Sequence, residues 1–402
     1  MSADTDPMNL ALYMPTKHVS RYALLGAMGA ELAEAFMRAG ATLNPAGNVE
    51  ARAGMYLFLN FPDTYDNFAA WSGIAAGRVP PRCALVQFFV DHPFALNAPF
   101  MDRVAQLPHF RLLLPCPDDA HLLRLRWPTL KHLPCRHGVS RAALCDAPTL
   151  EASHAGPPRA GARDLGLLVA GSIHDPHELA RLKAPIPPAL HAAADEMVRF
   201  MLEYPLASFG QAFELCTPGG VYASSQWQYL QTLWRYVTAA LNRERRVRLV
   251  SAMQGIPTTV IGTAAWREFC TGTIRYEGEA AYDALPAWFA RAKVSLAWGP
   301  TQFVHGYSER LLLALAGGCA AVADDRAAVR RDFGECTARF DAANTESARD
   351  AVSRLLADEA RRITLAARGR AEVERAHLWD HRLEVFVAAL NDAMRSTHAQ
   401  AA

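Results

Sequence analysis

Residues 83–90 read CALVQFFV, an apolar run broken only by Gln87. Such a run marks a strand buried on both faces, the situation of strands in parallel sheets covered by helices on each side. Working outward, LALYMP (10–15), MYLFLN (55–60), FRLLLP (110–115) and LKHLPC (130–135) repeat the signal. Between them lie helix-patterned stretches, the clearest being VSRYALLGAMGAELAEAFMRAG (19–40), which ends on a capping glycine, Gly40. Strands alternating with helices predict a parallel, doubly wound sheet.

The same alternation recurs later as DLGLLVAGS (164–172), TTVIG (258–262), TIRYEG (273–278), KVSLAW (293–298), CAAVAD (319–324) and TARF (337–340). Between the two series, residues 146–163 read DAPTLEASHAGPPRAGAR, rich in Ala, Gly and Pro and without periodicity, as an interdomain linker would be. The expected organisation is a first Rossmann-like domain over 1–145, the linker, a second over 164–390 with a helical insert at about 176–250, and a tail at 391–402. Trp227, Tyr229, Trp234 and Tyr236 in the insert read mostly as core. The fold class is α/β, two doubly wound domains facing a cleft. Ligands of open α/β sheets lie beyond the carboxyl ends of the strands, so the residues following each strand are the ones to inspect.

Composition narrows the function classes. The 402 residues are 51% apolar and 20% charged, ordinary globular values that exclude wholesale disorder. Forty-one basic against 40 acidic residues leave +1, so no net field draws the chain to nucleic acid or anionic lipid. Aromatic and basic residues are not interleaved as a nucleic-acid surface requires. The one basic run, RERRVR (243–248), reads as a solvated helix end. The longest apolar stretch, Leu311 to Ala323, is 13 residues with two glycines, short of the roughly 20 of a membrane span. The N-terminal MSADTDPMNL lacks the basic flank and apolar run of a secretory signal. A cytoplasmic protein is expected, with peripheral membrane contact left open. Eight cysteines without a CxxC pair read as small buried hydrophobes; His132, Cys135 and His137 lack the second pair of a zinc site. No metal is expected.

Four stretches, in order, carry a resemblance: VIGTAAW (260–266), IRYEGEAAYDALPAWFARAKVSLAW (274–298), HGYSERLLLALAGGCAAVADD (305–325) and LADEARRITLAARGRAEVERAHLWDHRLEVF (356–386). Together they resemble the donor-binding half of GT-B glycosyltransferases of the group-1 type, nearest the spore-maturation-protein-like branch. The resemblance is clear over 258–390. LPCRHGVS (133–140) and DLGLLVAGS resemble the family's close of the first domain and opening of the second. It implies transfer of a sugar from a nucleotide diphosphate sugar to an acceptor, which the sequence does not identify as glycan, lipid or protein. No cofactor beyond the donor is implied. No Asp-x-Asp metal motif follows any strand-like run.

The residues of 305–325 suit that reading on their own chemistry. A Gly-containing turn entering a helix offers free N–H groups and a positive dipole end to an anion. Ser308, Glu309 and Arg310 occupy the first turn; Arg310 can fork to phosphate oxygens and Glu309 can accept from sugar hydroxyls. The alternative is a capped helix with a surface Glu–Arg pair. Relatives usually carry an acidic residue three positions after that Arg, where this chain has Leu313; a further Glu near His305 in retaining relatives is also absent. Gly171 and Ser172 are the candidate diphosphate loop, with Arg181 and Lys183 as second choices for the phosphate. Gly262, Tyr276 and Gly278 border the expected nucleobase site, each with an alternative as turn or core residue.

On the acceptor side, Asp91 and His92 directly follow the apolar run 83–90 and Pro93 fixes the turn. A carboxylate beside an imidazole is a usable acid–base pair; the alternative is Asp91 as a cap and His92 packed on the sheet. His18 is a further candidate, whereas Asn60 and Asp63 read as turn or cap residues. Two rival functions stay open: a sugar-nucleotide epimerase, and a catalytically silent binding or assembly partner, suggested by Leu313.

Overall fold

The computed structural model describes residues 9–13, 24–45, 55–59, 84–96, 98–144, 163–217 and 227–401. His18, Asn60, Asp63, Cys83, Cys145 and all of the expected linker but Arg163 lie outside them. Twelve strands are described: β1 (Asn9–Tyr13), β2 (Thr42–Pro45), β3 (Met55–Leu59), β4 (Ala84–Phe88), β5 (Phe110–Leu114), β6 (His132–Pro134), β7 (Leu165–Ala170), β8 (Thr258–Ile261), β9 (Ile274–Tyr276), β10 (Ala292–Leu296), β11 (Ala320–Asp324) and β12 (Thr337–Phe340). They form two six-stranded sheets, β2-β1-β3-β4-β5-β6 and β12-β11-β10-β7-β8-β9, in which every pairing is parallel. Both are doubly wound, as the alternation predicts.

The described helices are α1 (Leu24–Arg38), α2 (Ala98–Val104), α3 (Leu123–Arg126), α4 (Pro176–Lys183), α5 (His191–Glu203), α6 (Phe209–Cys216), α7 (Trp227–Ser251), α8 (Leu285–Arg291), α9 (Glu309–Ala316), α10 (Ala327–Phe333), α11 (Thr345–Ala357), α12 (Glu359–Ala376) and α13 (Leu383–Ala401). Helices α4 to α7 occupy the stretch between β7 and β8.

The chain divides into two compact units, Met1–Gly138 with Tyr222–Gln228 and Leu378–Ala402, and Val139–Val221 with Tyr229–His377. The second unit thus ends at His377, whereas the sequence reading carried it to 390. The reason is apolar: Phe386 of α13 meets Phe88 of β4 and Phe36 of α1, with ring centroids 5.4 and 5.9 Å apart. Nor is 391–402 a loose tail. Asp392 and Ser396 of α13 both accept from Arg111, whose side chain is fully buried in β5. Arg163, placed by the sequence reading in the linker, is anchored in the second unit, donating to the carbonyls of Ala292 and Gly317 at 2.7 and 2.9 Å.

Trp227 returns the chain to the first unit because its ring packs on Phe94 and Trp127, each centroid 4.9 Å away. Trp234 is buried as core; Tyr229 is exposed, and Tyr236 uses its hydroxyl to donate to Asp195 at 2.8 Å. In the second unit the core lies between β7, β8, β10 and β11 on one side and α7 and α11 on the other, with Leu167, Val169, Val250, Val294, Val322 and Val352 fully buried. Burial pushes the Cys135 and Cys319 thiols up to about 12, as expected of inert apolar residues.

Candidate active site

The strand order of the second sheet reverses between β7 and β10, and such a switch point opens a crevice at the strands' carboxyl ends. The residues there are Gly171 and Ser172 after β7, and Trp298 after β10. Gly171 is required by close approach. A Cβ built on it would lie 2.7 Å from Nη1 of Arg310 and 3.3 Å from Cζ2 of Trp298. The neighbouring loop after β8 is pinned to it: the Trp266 indole donates to the Gly171 carbonyl at 2.6 Å, and Thr263 and Ile173 exchange hydrogen bonds at 3.1 and 2.6 Å.

A Cβ on Gly262 would meet the Gly171 carbonyl oxygen at 2.2 Å, so backbone closes that position to a side chain. The Gly262 amide donates to the Gly278 carbonyl at 2.9 Å, and the Tyr276 hydroxyl donates to the Gly262 carbonyl at 3.0 Å. The structure therefore brings Gly171, Gly262, Tyr276 and Gly278 into one hydrogen-bonded group of loops.

Helix α9 brings the charge. Ser308, buried, is its N-cap residue but makes no side-chain cap to the first-turn amides. Glu309 and Arg310 lie in that first turn, their charged ends 3.7 Å apart, and both are largely buried. Arg310 donates to the Ala170 carbonyl at 3.3 Å, which turns its guanidinium toward the β7 loop. His305 is exposed, and its carbonyl accepts the Ala328 amide at 3.0 Å. Leu313 is fully buried, as is every residue of α9 from Leu311 to Ala316. The second choices for the phosphate are otherwise placed: Arg181 is exposed, and Lys183 is paired with both oxygens of Asp195 at 2.7 Å.

The basic run 243–248 corrects the sequence reading. It is not a solvated helix end, since Arg246 is only 9% exposed within α7. Its Nη1 donates to the Ser172 carbonyl and its guanidinium stands 5.9 Å from the Trp298 ring. Among the described residues no carboxylate pairs with it. Burial, with Arg310 as like-charged neighbour, pushes it down to about 9, which still leaves it cationic at neutral pH. Arg243 of the same run donates to the His174 carbonyl at 3.1 Å. The crevice at the switch point is thus bordered by two guanidinium groups, the glycine-containing turns after β7 and β8, and a helix N-terminus. That set is suited to a multiply charged anion.

In the first unit Asp91 and His92 each hold a partner of their own. Asp91 turns its carboxylate back to accept the His92 amide at 2.8 Å. His92 is 3% exposed; its Nδ1 accepts the Phe94 amide at 3.2 Å, which leaves Nε2 as the N–H that faces Asp119 at 3.2 Å. Pro93 opens a short 3₁₀ turn with His92 as its cap, and this local geometry draws the imidazole inward. Asp119, in the left-handed region at φ 56°, is the partner that sequence reading missed. Among the described residues no three His, Cys, Asp or Glu side chains are grouped as metal ligands.

Residues 243–388, about a third of the chain, match a family model described as glycosyl transferase-like. No curated protein sequence matches the chain. Among solved structures, the chain is similar to sucrose-phosphate synthase from Thermosynechococcus elongatus (10% identity, 95% of this chain and 98% of that one, TM-score 0.51). It is also similar to a glycosyltransferase from Rickettsia africae ESF-5 (8% identity, 97% and 99%, TM-score 0.52). A third is AviGT4, a glycosyltransferase involved in avilamycin A biosynthesis (12% identity, 97% and 98%, TM-score 0.50). The fold is that of the GT-B glycosyltransferases. At such identities the likeness concerns the fold, and the spore-maturation-protein-like branch is not distinguished by it. No described helix is long and apolar enough to cross a membrane.

Proposed function

We propose that the chain is a glycosyltransferase taking its sugar from a nucleotide diphosphate sugar bound in the second unit. The observation that carries this reading is the convergence of Arg310 and Arg246 on the Gly171–Ser172 turn at the switch point of the second sheet. In the reaction the acceptor's nucleophilic atom bonds to the anomeric carbon, the bond from that carbon to the β-phosphate oxygen breaks, and its electron pair stays on the phosphate. The two guanidinium groups and the first-turn amides of α9 stabilise the charge that develops there. They supply this without a metal. Gly262, Tyr276 and Gly278 border the nucleobase, Ser308 and His305 flank the α9 turn, and Glu309 accepts from a ribose or sugar hydroxyl.

The acceptor side is assigned to the first unit. There Asp91, half-buried, takes the acceptor proton as general base, and the His92–Asp119 pair positions its loop. A catalytically silent partner is the second reading, favoured by the buried Leu313 where relatives carry an acid.

Calorimetry and thermal shift with UDP, GDP, dTDP, ADP and CMP test the proposal. One diphosphate at about 100 times its dissociation constant should add about 2.7 kcal/mol of stability to the wild type, and not to Arg310→Ala. Absence of any response would overturn the donor reading in favour of the silent partner.

A further inference from the structure

Arg245 and Arg246 are consecutive on α7, and a helix turns them about 100° apart. Arg246 faces the β7 turn. Arg245 goes instead to the carboxyl ends of β10 and β11. There it lines, with Arg248, Trp298, Asp324, Arg326 and Phe340, a cavity of about 130 Å³. The volume matches the liquid-phase share of about four waters, room for one tetrahedral oxyanion.

The charge of this cavity does not close. Asp324 is its one carboxylate, and it is already committed: Oδ2 accepts from Nε of Arg326 at 2.6 Å and Oδ1 from the Gly299 amide at 2.8 Å. Arg326 gives three further donors to the carbonyls of Gly299, Pro300 and Phe303. Arg248 is exposed and 4.0 Å from Glu244. Arg245 is left with neutral acceptors alone, the Met201 and Pro205 carbonyls at 2.5 and 3.1 Å and the Thr301 hydroxyl at 3.3 Å. Its Nε, and the indole Nε1 of Trp298, have no acceptor among the described residues. Burial, with Arg326 as the second cause, pushes Arg245 down to about 9. A cation whose nearest carboxylate, Asp324, is already paired with Arg326, together with two N–H donors that lack acceptors, is a costly arrangement that an anion would relieve.

We propose that this cavity binds a small oxyanion, phosphate free or as a phosphate monoester, at a site separate from the donor diphosphate. A monoester has somewhere to extend. A groove of about 740 Å³ shares Phe340, Ala342 and Ala343 with the cavity and is lined by Tyr204, Leu206, Glu203, Asp341 and by Asp325, which pairs with both Arg330 and Arg339.

The test is calorimetry of the full chain with inorganic phosphate, and separately with glycerol phosphate, at ionic strength held constant with chloride. Phosphate should bind the wild type and bind Arg245→Gln about tenfold or more weakly, the loss of one charge-assisted hydrogen bond. Arg246→Gln should keep the phosphate response. Tighter binding of glycerol phosphate would identify a monoester extending into the groove; equal binding would identify the free anion. Crystals soaked in tungstate should show an anomalous peak within hydrogen-bonding reach of Arg245, a readout independent of how any variant folds. No binding tighter than about 1 mM, or a phosphate response lost in Arg246→Gln and kept in Arg245→Gln, would overturn the proposal.

Discussion

Nη1 of Arg310 lies 2.7 Å from the point where a Cβ on Gly171 would stand, so this glycine makes room for that guanidinium. The neighbouring Gly262 is closed by backbone instead, the Gly171 carbonyl oxygen at 2.2 Å. The two positions therefore separate function from stability. Gly171→Ala meets the movable end of a side chain and should leave Tm nearly unchanged, while displacing Arg310 and weakening diphosphate binding about tenfold. Gly262→Ala has nothing movable to push and should destabilise by about 1–3 kcal/mol. Thermal unfolding and calorimetry on both variants check the contrast.

Arg246 predicts a pH dependence. Its folded value, about 9, is below the unfolded one, so the buried charge destabilises the free protein at every pH below about 9. A bound anion interacts with the protonated form and returns that stability. Diphosphate affinity should be flat from about pH 7 to 8 and fall as pH rises through about 9. In Arg246→Gln the affinity should be lower at neutral pH and the fall should be absent. Calorimetry across the pH series reads both.

Much of the fold was legible in the sequence because central strands buried on two faces, such as β4 and β11, are apolar nearly throughout, and eleven of the twelve strands coincide with runs read as strands, the less buried β6, β9 and β12 included. β2, TLNP, escaped because Asn44 and Pro45 look like turn residues. Arg246 was missed for a different reason. RERRVR has the composition of an exposed helix end, and composition does not say that one of its arginines faces a carbonyl while Glu244 and Arg248 face solvent. The His92–Asp119 pair joins residues 27 positions apart, and the packing of 378–402 on the first sheet is tertiary; neither leaves a local pattern.

Leu313 tests whether α9 keeps the family's use of the position three residues after the Arg. Leu313 is fully buried, as are Leu311, Leu312, Ala314 and Leu315 of the same helix. Leu313→Glu should place a carboxylate in apolar surroundings, lower Tm by several degrees and give no gain in diphosphate affinity. Glu309→Gln should instead weaken nucleotide binding with Tm unchanged. Tighter binding in Leu313→Glu would return the ribose contact to that position and remove it from Glu309.

Arg111 and Asp392 fix the C-terminal helix to the first sheet. Arg111 is fully buried, and Asp392, 43% exposed, accepts from its Nε at 2.5 Å. The exposed carboxylate itself contributes little after solvent screening; the larger effect of Asp392→Ala is to leave Arg111 short of its charged acceptor, about 1–3 kcal/mol. The hydrogen bond from Arg111 holds the Asp392 carboxyl below its ordinary value. Its stabilisation is therefore present above about pH 4 and lost as pH falls through the lower folded value. Urea titrations at pH 7 and pH 3 should show the gap between wild type and Asp392→Ala narrowing in acid.

Asp91 and His92 are adjacent, yet their environments assign them different roles, and their variants should differ in kind. Asp91 is half-buried and its contact with the His92 amide uses one carboxylate oxygen. Asp91→Asn keeps that acceptor and the loop, so it should lower kcat about 100-fold or more, the contribution of a positioned base, with donor affinity and Tm unchanged. His92 has both ring nitrogens committed, one to the Phe94 amide and one to Asp119. His92→Ala should remove the Nε2–H donor from the buried Asp119 carboxylate, and it should lower Tm as well as kcat. In Asp119→Asn the uncharged amide still accepts from Nε2, and this should preserve most of both. Equal loss of kcat in Asp119→Asn and Asp91→Asn would transfer the proton-accepting role from Asp91 to the His92–Asp119 pair.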